Sequence, residues 1–73
     1  MAIQIVMDRT GDSRHSFNPD HVQELLKAEQ RFYELTKAGF TAAVRTGPGQ
    51  TSRIRSFDPT AEETVFFPRL VGG

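Results

Sequence analysis

Few residues of this chain could do chemistry, and the group that stands out is its final carboxylate. The last eight residues read FFPRLVGG, Phe66 to Gly73, with nothing charged or bulky after the second glycine. Glycine has no Cβ and tolerates unusual φ/ψ, so Gly72 and Gly73 can thread into a narrow enzyme site where any side chain would clash. There the carboxylate oxygen would attack the α-phosphorus of ATP and form a mixed anhydride with AMP. The plainer alternative is a frayed end, since small residues collect at termini. Other reactive sets are thin. The absence of cysteine excludes thiolate nucleophiles, redox pairs and iron–sulfur ligation. His15 and His21 are the only histidines. Each sits among polar residues at the edge of an expected element, which reads as structural or solvent-exposed rather than catalytic. No His and Asp residues have metal-site spacing, so no metal is expected. TGPGQTS, Thr46 to Ser52, has glycines and hydroxyls but lacks the lysine and spacing of a phosphate loop, and reads as a hairpin loop. The chain is therefore not expected to be an enzyme.

Size and charge bound the rest. A chain of 73 residues makes one domain, and one this short buries only about 60% of the surface its unfolded form exposes. Without disulfides the core must stand on packing, which fits an intracellular, cytoplasmic setting. Nine basic and nine acidic residues give a net charge of zero, which supplies no general reason to bind nucleic acid or an anionic membrane. MAIQIVMDRT has no basic start followed by a long apolar run, so neither a signal peptide nor a membrane span is expected.

The elements that would position the tail follow from hydrophobic period. Ile3, Ile5 and Met7 alternate with Gln4, Val6 and Asp8, which predicts a strand that buries the isoleucine face. Thr10-Gly11-Asp12 has turn chemistry, and Arg14 to Phe17 is expected to return as a second strand. Asn18-Pro19-Asp20 predicts a helix start, with an N-cap side chain, a proline at the first position and an acid at the positive end of the dipole. Val22, Leu25, Leu26, Ala28, Phe32 and Leu35 recur at helical spacing, and Lys37 and Gly39 mark the end, so the helix is expected over about Pro19 to Ala38. Period two returns at Phe40, Ala42 and Val44, and Gly47-Pro48-Gly49-Gln50 interrupts it. A strand near Arg53 to Phe57, a turn at Asp58-Pro59-Thr60 and a short strand Val65-Phe66-Phe67 closed by Pro68 complete the chain. The order is β-β-α-β-β-β: an α+β domain over residues 1–68, in which one helix covers a mixed sheet, followed by a tail at residues 69–73 that is expected to be flexible until bound. The phenylalanines, Phe17, Phe32, Phe40, Phe57, Phe66 and Phe67, are expected to supply much of the core. Arg9, Arg14, Arg45, Arg53 and Arg55 could form a basic strip across the sheet, which in a neutral chain suits an acidic protein surface or plain solvation better than nucleic acid.

That order is also the order of the ubiquitin-like β-grasp fold. The stretch SFDPTAEETVFFPRLVGG resembles the C-terminal part of the small sulfur carriers of molybdenum cofactor and thiamin biosynthesis, with Glu62-Glu63-Thr64 at an acidic turn, Val65-Phe66-Phe67-Pro68 at a strand and its stop, and Gly72-Gly73 at the end. RLVGG is similar to the RLRGG tail of ubiquitin: Arg69, Leu70, Gly72 and Gly73 match, and Val71 replaces an arginine. The resemblance covers about the last quarter of the chain. It implies a protein with no bound cofactor whose Gly73 carboxylate is adenylated, with ATP, by a ubiquitin-activating-type enzyme that reads Arg69, Leu70 and Val71.

Two fates could follow. A modifier passes to an enzyme cysteine and then to an acceptor lysine, which implies a conjugating enzyme, acceptor proteins and a deconjugating protease, with Lys27 and Lys37 as possible chain acceptors. A sulfur carrier instead becomes a C-terminal thiocarboxylate that donates sulfur to a cofactor precursor. The FFP block favours the carrier; Arg69-Leu70, where carriers commonly have a proline in place of the arginine, favours the modifier, which is the leading expectation. A β-grasp interaction module that binds a protein through its sheet face is the third.

Overall fold

A computed structural model describes residues 1–68 of the chain. Along the sequence run β1 (Ala2–Asp8), β2 (Gly11–Phe17), α1 (Val22–Lys37), β3 (Phe40–Gly47), β4 (Gln50–Ile54) and β5 (Glu63–Pro68). The strands form one mixed sheet in the order β2-β1-β5-β3-β4, with β1 and β5 parallel at the middle and the other neighbours antiparallel. With α1 packed on one face, this is the arrangement of a β-grasp fold, in the predicted order.

The helix meets the sheet over the even-numbered residues of β1 and β5. Phe32 and Phe66, both 0% exposed, meet edge to face at 5.7 Å between ring centroids. Val6 and Ala42 close around them, with half-buried Leu35, Phe40, Ile54 and Phe57 at the margin. A second group, Ala2, Phe17 and Ala28, continues the core towards the start of the helix, and Phe57 bridges the two groups. Alanine at 2, 28 and 42 leaves room for the rings, because a close-packed interior trades large against small across facing positions. Among the phenylalanines the expected contribution to the core is thus visible, although Phe67 lies on the other face and only half-buried.

Strand β1 departs from the expected burial. The face against the helix is Ala2, Gln4 and Val6, and the more apolar Ile3, Ile5 and Met7 point to the uncovered side. Gln4 is tolerated there because its amide is fully used: Nε2 donates to the Ala28 carbonyl at 3.0 Å, and Oε1 accepts from Arg31 Nη1 at 2.9 Å. A buried amide with both ends bonded escapes the penalty of an unmet polar group. Ile5 is nonetheless buried, flanked in register by Arg14 on β2 and Val65 on β5.

Boundaries shift in three other places. The first turn is Arg9-Thr10, and β2 already begins at Gly11, whose φ of +123° suits glycine. The helix starts at Val22 and not at Pro19: Asn18 Oδ1 accepts from the Asp20 amide at 3.0 Å, so Asn18-Pro19-Asp20 forms a side-chain-closed turn before the helix. His21 holds the N-cap position without a side-chain cap, while Glu24 reaches back past it to accept from the Asn18 amide at 2.9 Å and so ties the preceding turn to the helix. Val22 and Leu26 are 70% and 56% exposed, so the packed stripe narrows to Leu25, Ala28, Phe32 and Leu35. Finally, β4 spans Gln50–Ile54, because Pro48-Gly49 alone turns the chain after β3; Arg55 to Phe57 lie beyond it. TGPGQTS is a hairpin, as its composition implied.

Removing a ring from the shared core should cost far more than trimming the uncovered face. Phe66→Ala is expected to lower unfolding free energy by about 3–5 kcal/mol, and Val65→Ala, one residue away on the half-exposed side, by less than about 2 kcal/mol. Urea unfolding of the two variants checks this.

Candidate functional site

Arg69, Leu70, Val71, Gly72 and Gly73, the residues expected to be activated and read, lie outside the described residues. What the fold shows is how their point of attachment is held. Strand β5 is hydrogen-bonded on both sides, parallel to β1 and antiparallel to β3. Thr64 and Phe66 turn into the helix-covered core, and Val65 and Phe67 lie half-buried on the opposite face. Pro68 is the last described residue, paired with Phe40 at the start of β3. Proline has no amide hydrogen to offer a ladder, so it suits the final position of a strand. The strand that precedes Arg69 is therefore fixed by the most buried part of the molecule.

Around that end of the sheet stand the β1–β2 turn, the last turn of α1, Gly39 with a φ of +105°, and the Arg53–Arg55 stretch. Thr36, Phe40, Thr41, Arg53, Ile54 and Arg55 line a groove of about 460 Å³ there. In the turn, Asp8 accepts from the Thr10 amide at 2.8 Å and the Thr10 hydroxyl at 2.6 Å. Asp58 repeats the motif near the far end of the sheet, accepting from the Thr60 amide at 2.9 Å and hydroxyl at 2.6 Å. Both carboxyls are held below the usual aspartate range, first by the threonine hydroxyl and then by its amide. Glu24 is lowered too, chiefly by the Asn18 amide and then by His21.

The expected basic strip is not continuous. One row across the uncovered face reads Arg14, Ile5, Val65, Ala43, Arg53, with arginine on the two edge strands and apolar residues between. Arg45 bonds Glu63 at 2.8 Å, and Arg9 belongs to the β1–β2 turn. The reason is topological: Arg14 and Arg53 fall on edge strands β2 and β4, and the three inner strands place Ile5, Val65 and Ala43 between them. Lys27 and Lys37 are exposed on α1, as a possible acceptor must be. His21 Nδ1 lies 2.8 Å from Glu24 Oε2 at the helix start, and His15 is half-buried on β2 beside Gln4 in register. Neither geometry sets an imidazole against a hydroxyl nucleophile. Among the described residues no three His, Asp or Glu side chains are grouped to hold a metal ion, and no helix is long and apolar enough to cross a membrane.

The groove beside Phe40 and the buried Gln4 bridge were not singled out from sequence. Phe40 directly after the Gly39 stop was the available signal, since it fixes where β3 begins. Comparison with models of known protein families, with curated proteins and with solved structures gives no match.

The two Asp-x-Thr turns predict a titration. Asp8 and Asp58 should titrate below the ordinary aspartate value of about 3.9, and Thr60→Val should raise Asp58 towards it while leaving Asp8 unchanged. Because these carboxyls are lowered only in the folded chain, their contribution is present above the unfolded value and is lost as pH falls through the folded one. Carboxyl ¹³C shifts followed against pH check both statements.

Proposed function

We propose that this chain is a ubiquitin-like protein whose Gly73 carboxylate is activated by a partner enzyme and transferred as a protein modifier. The observation that supports it best is the placement of β5: a diglycine sequence follows, after three residues, a strand pinned at the centre of a β-grasp sheet and stopped at Pro68. In the first step a Gly73 oxygen attacks the α-phosphorus of ATP and pyrophosphate leaves. An enzyme thiol then displaces AMP from the acyl-adenylate, and a lysine amine displaces the thiol to form an isopeptide bond. The chain contributes the acyl group and its presentation; ATP and the cysteine belong to the enzyme. Arg69, Leu70 and Val71 are the residues that enzyme would read, Arg69 through charge-assisted hydrogen bonds to an acidic patch. Lys27 and Lys37 are the two lysines a second copy could join.

The second reading is a sulfur carrier. It is favoured by the sequence Glu62-Glu63-Thr64 ahead of Val65-Phe66-Phe67-Pro68, although Glu63 and Thr64 belong to β5 and not to the acidic turn expected there. In that case hydrosulfide supplied by a sulfur donor attacks the carbonyl of the same adenylate in place of the enzyme thiol and AMP leaves, giving a thiocarboxylate.

Both readings require Gly73 to be the reacting end; adduct formation tests this for the modifier, and for the carrier the readout on the same variants is the intact mass, with one terminal oxygen replaced by sulfur. An N-terminally tagged chain expressed in its native cells should give higher-mass adducts that survive reducing agent. Gly72→Val, or one alanine added after Gly73, should remove them while the ¹H–¹⁵N spectrum of residues 1–68 stays that of the unaltered chain. Undiminished adducts from either variant would refute activation at Gly73.

A further inference from the structure

We propose that the groove at the end of the sheet where β5 finishes is a docking site for an acidic peptide segment; that this segment belongs to the enzyme acting on the tail rests on the functional reading above. The groove is a concavity of about 460 Å³ between the end of α1 and the adjoining ends of β3 and β4. Its charged lining is Arg53 and Arg55. Both are exposed, and among the described residues the ion pairs are His21 with Glu24 and Arg45 with Glu63, so these two guanidiniums have no internal carboxylate. A guanidinium presents a planar fork of donors that matches a carboxylate in two parallel bonds. Half-buried Phe40 and Ile54 give the groove an apolar wall, and Thr41 places a hydroxyl beside it.

The ligand this lining fits has two carboxylates with an aliphatic side chain between or beside them. A nucleic acid strand fits less well. Such a strand draws its affinity from a run of phosphate contacts and from bases stacked on aromatic faces, and this groove offers two arginines and one aromatic residue that is half-buried. Position ties the groove to the tail. Phe40, part of the lining, is the residue opposite Pro68, and neighbouring strands lie about 4.8 Å apart. A partner seated on Phe40, Arg53 and Arg55 therefore stands at the point from which Arg69 to Gly73 extend.

The test uses the full ¹⁵N-labelled chain and the acetylated, amidated peptide Glu-Asp-Leu-Glu-Asp. Amide shifts should localise to Thr41, Arg53 and Arg55 and saturate. The double variant R53E/R55E should weaken binding at least about tenfold, whereas Arg14→Glu, on the opposite edge strand, should change it less than about twofold. Three results would overturn the proposal: no localised shifts, equal weakening by Arg14→Glu, or tighter binding of an eight-nucleotide oligothymidine at the same amides. The tagged chain in native cells separates the two layers. Adducts undiminished in R53E/R55E would detach the groove from the activating enzyme and leave the tail reading standing. A groove that binds the peptide in a chain that never forms adducts would do the reverse.

Discussion

The structure depends on one pairing, the parallel contact of β1 with β5 at the centre of the sheet. Adjacent parallel strands need a crossover connection, and here everything between Asp8 and Glu63 supplies it: strand β2, the helix and the β3–β4 hairpin. The last strand finds its place only between β1 and β3, where Phe66 meets Phe32 of the helix. A chain with so small an interior has put one of its two fully buried rings two residues before the end of its last strand. The consequence for function is mechanical. The tail is joined to a strand paired on both sides, the kind of element that in general opens only with global unfolding.

Charge is arranged around the same axis, although the total is zero. Asp20, Glu24, Asp58, Glu62 and Glu63 stand where the helix begins and β5 starts, together with Arg45, and Lys37, Arg53 and Arg55 stand where the helix and β5 end, together with Asp8 at the end of β1. Glu24 in the first turn and Lys37 in the last each complement the helix dipole. A partner bearing carboxylates therefore meets favourable charge locally, at Arg53 and Arg55 of the groove, and not over that whole end of the molecule. On the uncovered face, arginine at the edges and aliphatic residues between them let long stems lie over apolar neighbours, which accounts for the burial of Ile5 without a helix above it.

Period and punctuation made the element order legible. The strand alternations, the 3–4 spacing through Phe32 and the Gly39 stop each correspond to an observed element. The face of β1 was not legible, because summed hydrophobicity favoured Ile3, Ile5 and Met7. Nothing local reveals that Gln4 finds the Ala28 carbonyl 24 residues away, a bond that lets this amide share the helix-covered face with Ala2 and Val6. The start of α1 misled for a related reason: Asn18-Pro19-Asp20 has cap chemistry, yet the Asn18 side chain closes a turn on Asp20 and its amide donates to Glu24. The groove needed three dimensions, since Thr36, Phe40 and Arg53 meet only once the β3–β4 hairpin is placed against the end of α1.

The most direct test of an activated Gly73 is mass spectrometry of tryptic digests and of the intact protein from its native cells, prepared without reducing agent. Trypsin cuts after Arg69, so a modifier leaves Leu70 to Gly73 attached to lysines of other proteins, and that remnant is the result predicted here. One terminal oxygen replaced by sulfur in the intact chain would assign the carrier fate to the same carboxylate. Finding only the unaltered chain, or one that continues past Gly73 and is never cut there, would contradict activation at this position.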